Sequence, residues 1–218
     1  PSKKLTLLLV DRNTPGIIVR RMETMGAEAH QIGFVTLENA KVPVRNRIGK
    51  EGEGLLSILV NFNHERWVIA VNALRACRLI YEECFKYALK RKVFGKTLME
   101  SGVIRWKLAE MARQIEALQD HVERVTFQYT KNKPDYQMGG ICALLKVQAT
   151  KAFENIAREG TQIFGGSALV KEGQGRRIER LYRDVRHTSI PGGSEEILLD
   201  FAIRDAIKTF KKAQKSKL

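Results

Sequence analysis

One amphipathic stretch in the middle of the chain decides the fold class. Residues 111–125 read MARQIEALQDHVERV, and their large apolar side chains recur at alternating spacings of four and three residues. This spacing lines one face of an α-helix, and such a face has to be buried against neighbouring elements. The stretch therefore predicts one member of a helix bundle, with a seam formed by Met111, Ile115, Leu118, Val122 and Val125.

Two long helices are predicted on either side of this one. After Gly54 the chain has neither proline nor glycine until about Lys90, a composition that suits one long helix. The central helix is predicted to end near Lys131–Pro134, and another to run over about 137–162 until Gly165-Gly166 stops it. The inner residues of this helix are predicted to include Ile141, Leu144, Leu145 and Ala152.

The two ends of the chain differ in character. Three short runs near the start have β character, rich in apolar and β-branched residues: Leu5–Val10, Gly16–Val19 and Ile32–Leu37. Near the other end, shorter helices are predicted over 175–185 and 195–210, the last with Ser194 as N-cap. The sequence thus predicts a mainly α protein: a β segment over 1–50, a helix bundle over 51–210 and a basic tail over 211–218.

Composition limits the class of protein without identifying it. Of the 218 residues, 44% are hydrophobic and 28% are charged, which is ordinary for a soluble globular chain. No stretch reaches the roughly 18 consecutive apolar residues of a membrane-spanning helix, and Cys77, Cys84 and Cys142 lack the spacing of a metal site or a disulfide framework. The net charge of +14 allows polyanionic partners, although a solvated lysine-rich end explains part of it.

Five segments, in order, resemble the acyl-CoA dehydrogenase superfamily over nearly the whole chain. The segment 37–43 is similar to the strand that leaves the family's β domain, and 49–54 to the glycine-rich start of its first C-terminal helix. RKVFGK at 91–96 resembles the family's RKxFGK turn, QIFGG at 162–166 its QxFGG turn, and PGGSEEI at 191–197 stands in place of its xxGTSEI segment. The resemblance implies an up-and-down bundle of the acyl-CoA dehydrogenase C-terminal type, preceded by the end of a β-barrel-like domain.

The resemblance also implies FAD as cofactor and a homodimer or homotetramer. A guanidinium and close-approaching glycine backbone suit the pyrophosphate of a flavin dinucleotide. In the family, the arginine and the glutamine of these turns reach the cofactor of the neighbouring subunit. The residues implied to bind FAD are Arg91, Phe94, Gln162, Gly165, Gly166, Ser194 and Glu196.

The implied catalytic base is Glu65. Many family members carry a glutamate immediately before the Gly-Thr of the last motif, but Gly192 stands there and has no proton acceptor. Glu65-Arg66 resembles the Glu-Arg of the isovaleryl and long-chain branches, whose base comes from the first long helix. The resemblance implies that Glu65 removes the α-proton of an acyl-CoA thioester while the β-hydride passes to the flavin, and that the Gly192 amide binds the thioester carbonyl. The implied substrate-binding residues are Phe62, Asn63, Arg66 and Gly193.

Several readings compete with this one. Taken alone, Glu65 is typical of an exposed helix residue paired with a neighbouring cation, and Arg91 of a solvated charge. The chain ends in Ser216-Lys217-Leu218, which is typical of a peroxisomal import signal, with a mitochondrial location as the alternative. The electron acceptor is accordingly either an electron-transfer flavoprotein or oxygen, as in an acyl-CoA oxidase. A non-catalytic, nucleic-acid-binding family member is a further alternative, without a recognition motif in its favour; nitroalkane oxidation is disfavoured by Gly192.

Overall fold

The computed structural model describes residues 4–27, 30–131 and 137–215. The chain divides into two compact units, residues 1–62 and residues 63–218. The boundary falls inside the longest helix, α1, which spans Gly54–Lys90. The division of the chain that we predicted at residues 50 and 210 stays a prediction.

The first unit contains two short antiparallel pairs of strands. Strand β2 (Ile17–Arg21) pairs with β3 (Gly33–Leu37) over five residues, and β1 (Leu7–Leu8) pairs with β4 (Arg47–Ile48). The three predicted β runs are therefore present, although the first is reduced to two residues.

The strand predicted by resemblance around Val42-Pro43 is wrong. Strand β3 ends at Leu37, and a single turn of 3-10 helix over Val44–Asn46 follows Pro43. Because proline has no backbone N–H, it cannot donate to a strand ladder at this point.

The second unit is built from helices and confirms the predicted bundle. After α1 come a small hairpin of β5 (Lys92–Val93) and β6 (Lys96–Thr97) and four more helices. These are α2 (Gly102–Thr130), α3 (Gly139–Phe164), α4 (Arg176–Ser189) and α5 (Glu195–Lys215). Helix α5 continues five residues beyond the predicted end, while the Ser-Lys-Leu segment lies outside the described residues.

Helix α3 lies at the centre of this unit and packs against α2, α4 and α5. It also meets α1 at Gly160, where a Cβ would stand 2.6 Å from Cγ2 of Ile80. Ile115, Leu118 and Val125 are buried as the seam of α2 predicts. The prediction of Leu144 as an inner residue is wrong, because it is 43% exposed. Neighbouring helix positions are about 100° apart, and Leu145 takes the buried direction instead.

Helix α5 is held against α3 by a small apolar cluster and by one capping interaction. Ala143 and Val147 of α3 pack with Leu198 and Ala202 of α5. The carboxylate of Asp205 accepts a hydrogen bond from the Gly140 N–H at 3.1 Å. The first N–H groups of a helix have no partner within the helix, so Asp205 caps α3 from a distant part of the chain.

Neither a metal cluster nor a membrane-spanning helix is found in the described ranges. Within them, no three His, Cys, Asp or Glu side chains are grouped as metal ligands. No described helix has an apolar stretch long enough to cross a bilayer. Cys77, Cys84 and Cys142 are free thiols buried in the main core.

Candidate functional site

The loop between α4 and α5 carries the last sequence motif, and two glycines determine its path. Gly192 and Gly193 have φ values of +71° and +113°, a region that favours glycine. A Cβ on Gly192 would stand 2.9 Å from Cδ1 of Ile69 on α1. In this backbone a side chain at position 192 would therefore be both strained and crowded.

Arg66 connects α1 to this loop. Its Nε donates to the Gly192 carbonyl at 2.9 Å, and its Nη1 donates to Oδ1 of the buried Asn63 at 3.2 Å. The guanidinium also lies over the ring of Phe201, 5.4 Å from its centroid. These contacts fix both the position and the orientation of the Arg66 guanidinium. The structure thus brings three of the predicted site residues together: Asn63, Arg66 and Gly192.

Glu65 lies one residue before Arg66 and is half-buried. It forms neither a hydrogen bond nor an ion pair with any described residue. The competing reading, a helix carboxylate paired with a nearby cation, is therefore not what the described part of the chain shows. Helix α1 places a half-buried carboxylate without a partner beside the residue that holds Gly192.

Lys146 is the residue of this region that sequence reasoning missed. It is fully buried in α3, and its ammonium donates to the carbonyls of Ser189 and Gly193, the latter at 2.9 Å. Burial is the main cause that lowers the pKa of Lys146; the Glu195 carboxylate raises it, and Arg66 and Arg186 lower it. The signal in the sequence was a single charge inside the apolar run 141–147.

The remaining predicted residues of this loop lie at the start of α5. Ser194 and Gly193 are half-buried, whereas Glu196 is exposed. Hydrogen bonds from its own backbone N–H and from the Ser194 hydroxyl hold the pKa of the Glu196 carboxyl below its usual range. Phe62 belongs to the first unit and is half-buried there.

A second group of predicted residues lies at the far end of α1. Arg91 lines a cavity of about 620 Å³ together with three lysines, and Phe164 of the QIFGG motif lines the same cavity. Phe164 stacks on Tyr87 with 4.1 Å between the ring centroids. The structure therefore brings the RKVFGK and QIFGG motifs together, although 71 residues of sequence separate Arg91 from Gln162. The other lining residues are Glu83, Lys86, Lys90, Lys92 and Gln174.

The chemistry of this cavity fits a diphosphate group. Four cationic side chains converge on it, and an arginine among them can bind phosphate oxygens with two N–H groups at once. Gln162, Gly165 and Gly166 are exposed at the end of α3, and a Cβ on either glycine would meet no atom within 4 Å. The Phe94 side chain is fully exposed on the turn between β5 and β6. These open groups can contact a ligand or a second chain.

Comparison with known proteins agrees with the helical arrangement and the motifs. The family described as acyl-CoA dehydrogenase, C-terminal domain, matches residues 52–207. The chain is 40% identical over 215 residues to the acyl-CoA dehydrogenase apdG of Emericella nidulans, covering 97% of this chain and 49% of that protein. The chain belongs to the acyl-CoA dehydrogenase family.

Solved structures show the same fold. An acyl-CoA dehydrogenase from Geobacillus kaustophilus matches with a TM-score of 0.86 at 29% identity, covering 92% of this chain and 52% of that one. The butyryl-CoA dehydrogenase from Megasphaera elsdenii matches with a TM-score of 0.82 at 26% identity, covering 94% and 52%. The chain spans about half the length of the curated relatives it matches.

Proposed function

We propose that this chain supplies the helical half of an FAD-dependent acyl-CoA dehydrogenase in which Glu65 removes the α-proton of the acyl thioester. The observation that carries the proposal is that Glu65 is half-buried without a described partner, next to Arg66, which holds Gly192. A base needs a free lone pair, and a glutamate already paired with a cation is a weaker base. At Gly192, where other members carry a carboxylate, no side chain competes for the proton.

The charges around the loop support the same reaction. Removal of an α-proton leaves negative charge on the thioester oxygen, and fixed donors or cations stabilise that charge. The carbonyls of the loop are directed to Arg66 and Lys146. Within the described part of the chain, the Gly192 N–H has no acceptor. We propose that this N–H donates to the thioester oxygen of the bound substrate.

The cavity beside Arg91 is the proposed site for the diphosphate of FAD. Arg91 and the neighbouring lysines would neutralise its charge. Gln162, Gly165 and Gly166 do not line the cavity, but they are exposed at the adjoining end of α3 and are proposed to contact the cofactor from there. When bound, FAD supplies a hydride acceptor for the β-carbon of the substrate. Phe94, fully exposed in one chain, is the proposed contact to a second copy.

The experiment uses the full-length enzyme with FAD bound, to which a panel of acyl-CoAs is added without oxygen while the flavin absorbance is followed. Wild type is expected to lose flavin absorbance with at least one acyl-CoA. Glu65→Gln is expected to slow that loss by about 10²-fold to 10⁴-fold, since general base catalysis contributes that much. Glu82→Gln is the matched control, because Glu82 lies on the same helix in an exposed pair with Arg75. Wild-type rates in Glu65→Gln would refute the base assignment.

A further inference from the structure

The fully buried Lys146 contacts the site loop directly, and the proposed function does not assign it a specific role. A lysine is almost never fully buried unless its charge has partners. Here the partners are backbone oxygens: Lys146 donates to Ser189, at the end of α4, and to Gly193, just before α5. The ammonium therefore joins α3 to both ends of the short segment that contains Gly192.

Arg66 completes the same arrangement from α1. The carbonyls of Ser189, Gly192 and Gly193 all accept from a cationic side chain, and the two cations come from two different helices. Bonds of this charge-assisted kind are about twice as strong as neutral ones. Because each carbonyl is rigidly joined to the N–H of the following residue, these bonds fix the amides of Ile190, Gly193 and Ser194, on both sides of the Pro191–Gly192 peptide.

The loop needs these bonds because its own residues do little to restrict its backbone. Gly192 and Gly193 have no side chains that could lock the backbone by packing, and both adopt positive φ. Glycine loses more conformational freedom on folding than any other residue. Without outside anchors the two glycines would sample many orientations, and an amide that has to meet a developing negative charge would be misdirected for much of the time.

We infer that Lys146 is a positioning residue, which holds the two ends of the Ser189–Gly193 segment so that the Gly192 N–H between them is directed at the thioester oxygen. This inference rests on the proposed function. Lys146 does not contact substrate in this arrangement; it acts through the carbonyls of Ser189 and Gly193. Removing its ammonium while keeping the side-chain volume should loosen the loop without emptying the core.

The variant that tests this is Lys146→Met in the full-length enzyme with FAD bound. Thr150→Val is the matched control: Thr150 is equally buried one turn further along α3, and its hydroxyl donates to the carbonyls of Lys146 and Val147 in its own helix. For Lys146→Met we expect kcat for the best acyl-CoA to fall by about tenfold or more with KM changed less than about threefold. This split is typical when an interaction made only in the transition state is lost.

Hydrogen exchange gives a readout that is independent of turnover. The amides of Ile190 and Leu198 donate to Arg186 and Ser194, and so report on opening at the two ends of the loop. In Lys146→Met both should exchange faster than in wild type, whereas Thr150→Val should leave them unchanged. A variant with wild-type kcat and wild-type exchange at both amides would overturn the inference, even if its melting temperature were lower.

Two further outcomes are separable. If no acyl-CoA reduces the wild-type flavin, the proposed function fails, and unchanged exchange in Lys146→Met would then overturn the anchoring role as well. If Lys146→Met does not fold, Lys146→Gln takes its place, because it keeps an N–H donor within a shorter side chain. Lowered kcat with faster exchange in Lys146→Gln supports the positioning role, and wild-type values of both refute it.

Discussion

Arg66 binds the backbone of Gly192 although 126 residues separate them. The bond joins the helix that carries Glu65 to the loop that carries the last family motif. Asn63 and Phe201 hold the same guanidinium from two other sides. The geometry of the proposed site therefore depends on a cation whose partners include a carbonyl, an amide and an aromatic ring.

Replacing Arg66 should impair the enzyme even when the charge is kept. In Arg66→Lys the ammonium cannot make the directed bonds of the guanidinium fork to Gly192 and Asn63 at the same time. We expect the rate of flavin reduction by acyl-CoA to fall by about tenfold or more, measured by stopped flow without oxygen. Arg75→Lys is the control, since the partner of Arg75 among the described residues is Glu82, in an exposed pair at 3.7 Å. Equal rates in Arg66→Lys and wild type would contradict the role of the fork.

A carboxylate introduced at position 192 should destabilise this protein. Gly192→Glu places a side chain at φ +71° and a Cβ against Cδ1 of Ile69. The left-handed conformation alone costs about 1–2 kcal/mol, and crowding adds to it.

A second substitution separates these two causes. Ile69→Val removes Cδ1, so Ile69→Val/Gly192→Glu should be less destabilised than the sum of the single variants by about 0.5 kcal/mol or more. The comparison is made by urea unfolding of the four proteins. Strictly additive losses would show that the contact with Ile69 does not limit position 192.

The cap on α3 should contribute measurably to stability. Asp205→Ala removes the acceptor of the Gly140 N–H, and we expect a loss of about 1 kcal/mol in the free energy of unfolding. Asp200→Ala, about one turn earlier on α5, removes an exposed ion pair with Arg204 and should cost less than about 0.5 kcal/mol. Equal losses in the two variants would argue against capping by Asp205.

The buried thiols should be nearly unreactive in the folded protein. Burial raises the pKa of Cys77 and of Cys84 to about 12, from an ordinary value of 9.0, and for Cys84 the Glu83 carboxylate adds to the effect. At pH 8 the thiolate fraction is then about a thousandfold lower than in an unfolded chain, and alkylation should be slowed at least as much. Rapid labelling of either cysteine in the native state, read by mass spectrometry, would contradict their burial.

The same shift sets a direction for stability. A thiol whose folded pKa is raised stays protonated after the unfolded chain has begun to ionise. Above about pH 9 the unfolded state therefore binds fewer protons, and the free energy of unfolding should fall as the pH rises toward 12. Cys77→Ala/Cys84→Ala is the control, and it should lose less stability over this interval.

The helices could be predicted from the sequence because each leaves a local signal. Glycine or proline near their ends and apolar spacing along α2 predicted all five, and Gly165 ends α3 in the expected place. Leu144 was misjudged because an apolar residue in a nearly buried helix does not reveal which way it points. The strand at Val42-Pro43 was inferred from resemblance alone, although the proline was a local signal against a strand ladder.

The sequence predicted individual residues of the site but not the contacts between them. Glu65, Arg66 and Gly192 could be selected from motifs, but the bond between Arg66 and Gly192 depends on how the loop after α4 returns to α1. Lys146 gave only a weak signal, because an isolated lysine in an apolar helix usually extends its ammonium to the surface. Its actual partners are carbonyls in a segment more than 40 residues away.

Helix α1 also fixes the distance between the proposed base and the proposed diphosphate-binding arginine. Glu65 and Arg91 are 26 residues apart on or just after one continuous helix, and at 1.5 Å per residue the rise between them is about 39 Å. In their proposed roles, the base and the diphosphate-binding arginine of one chain therefore lie at two separate sites along α1. Each α1 helix would then contribute to two reaction centres at once. Inserting a single helical turn between residues 65 and 91 would displace one of these contributions relative to the other.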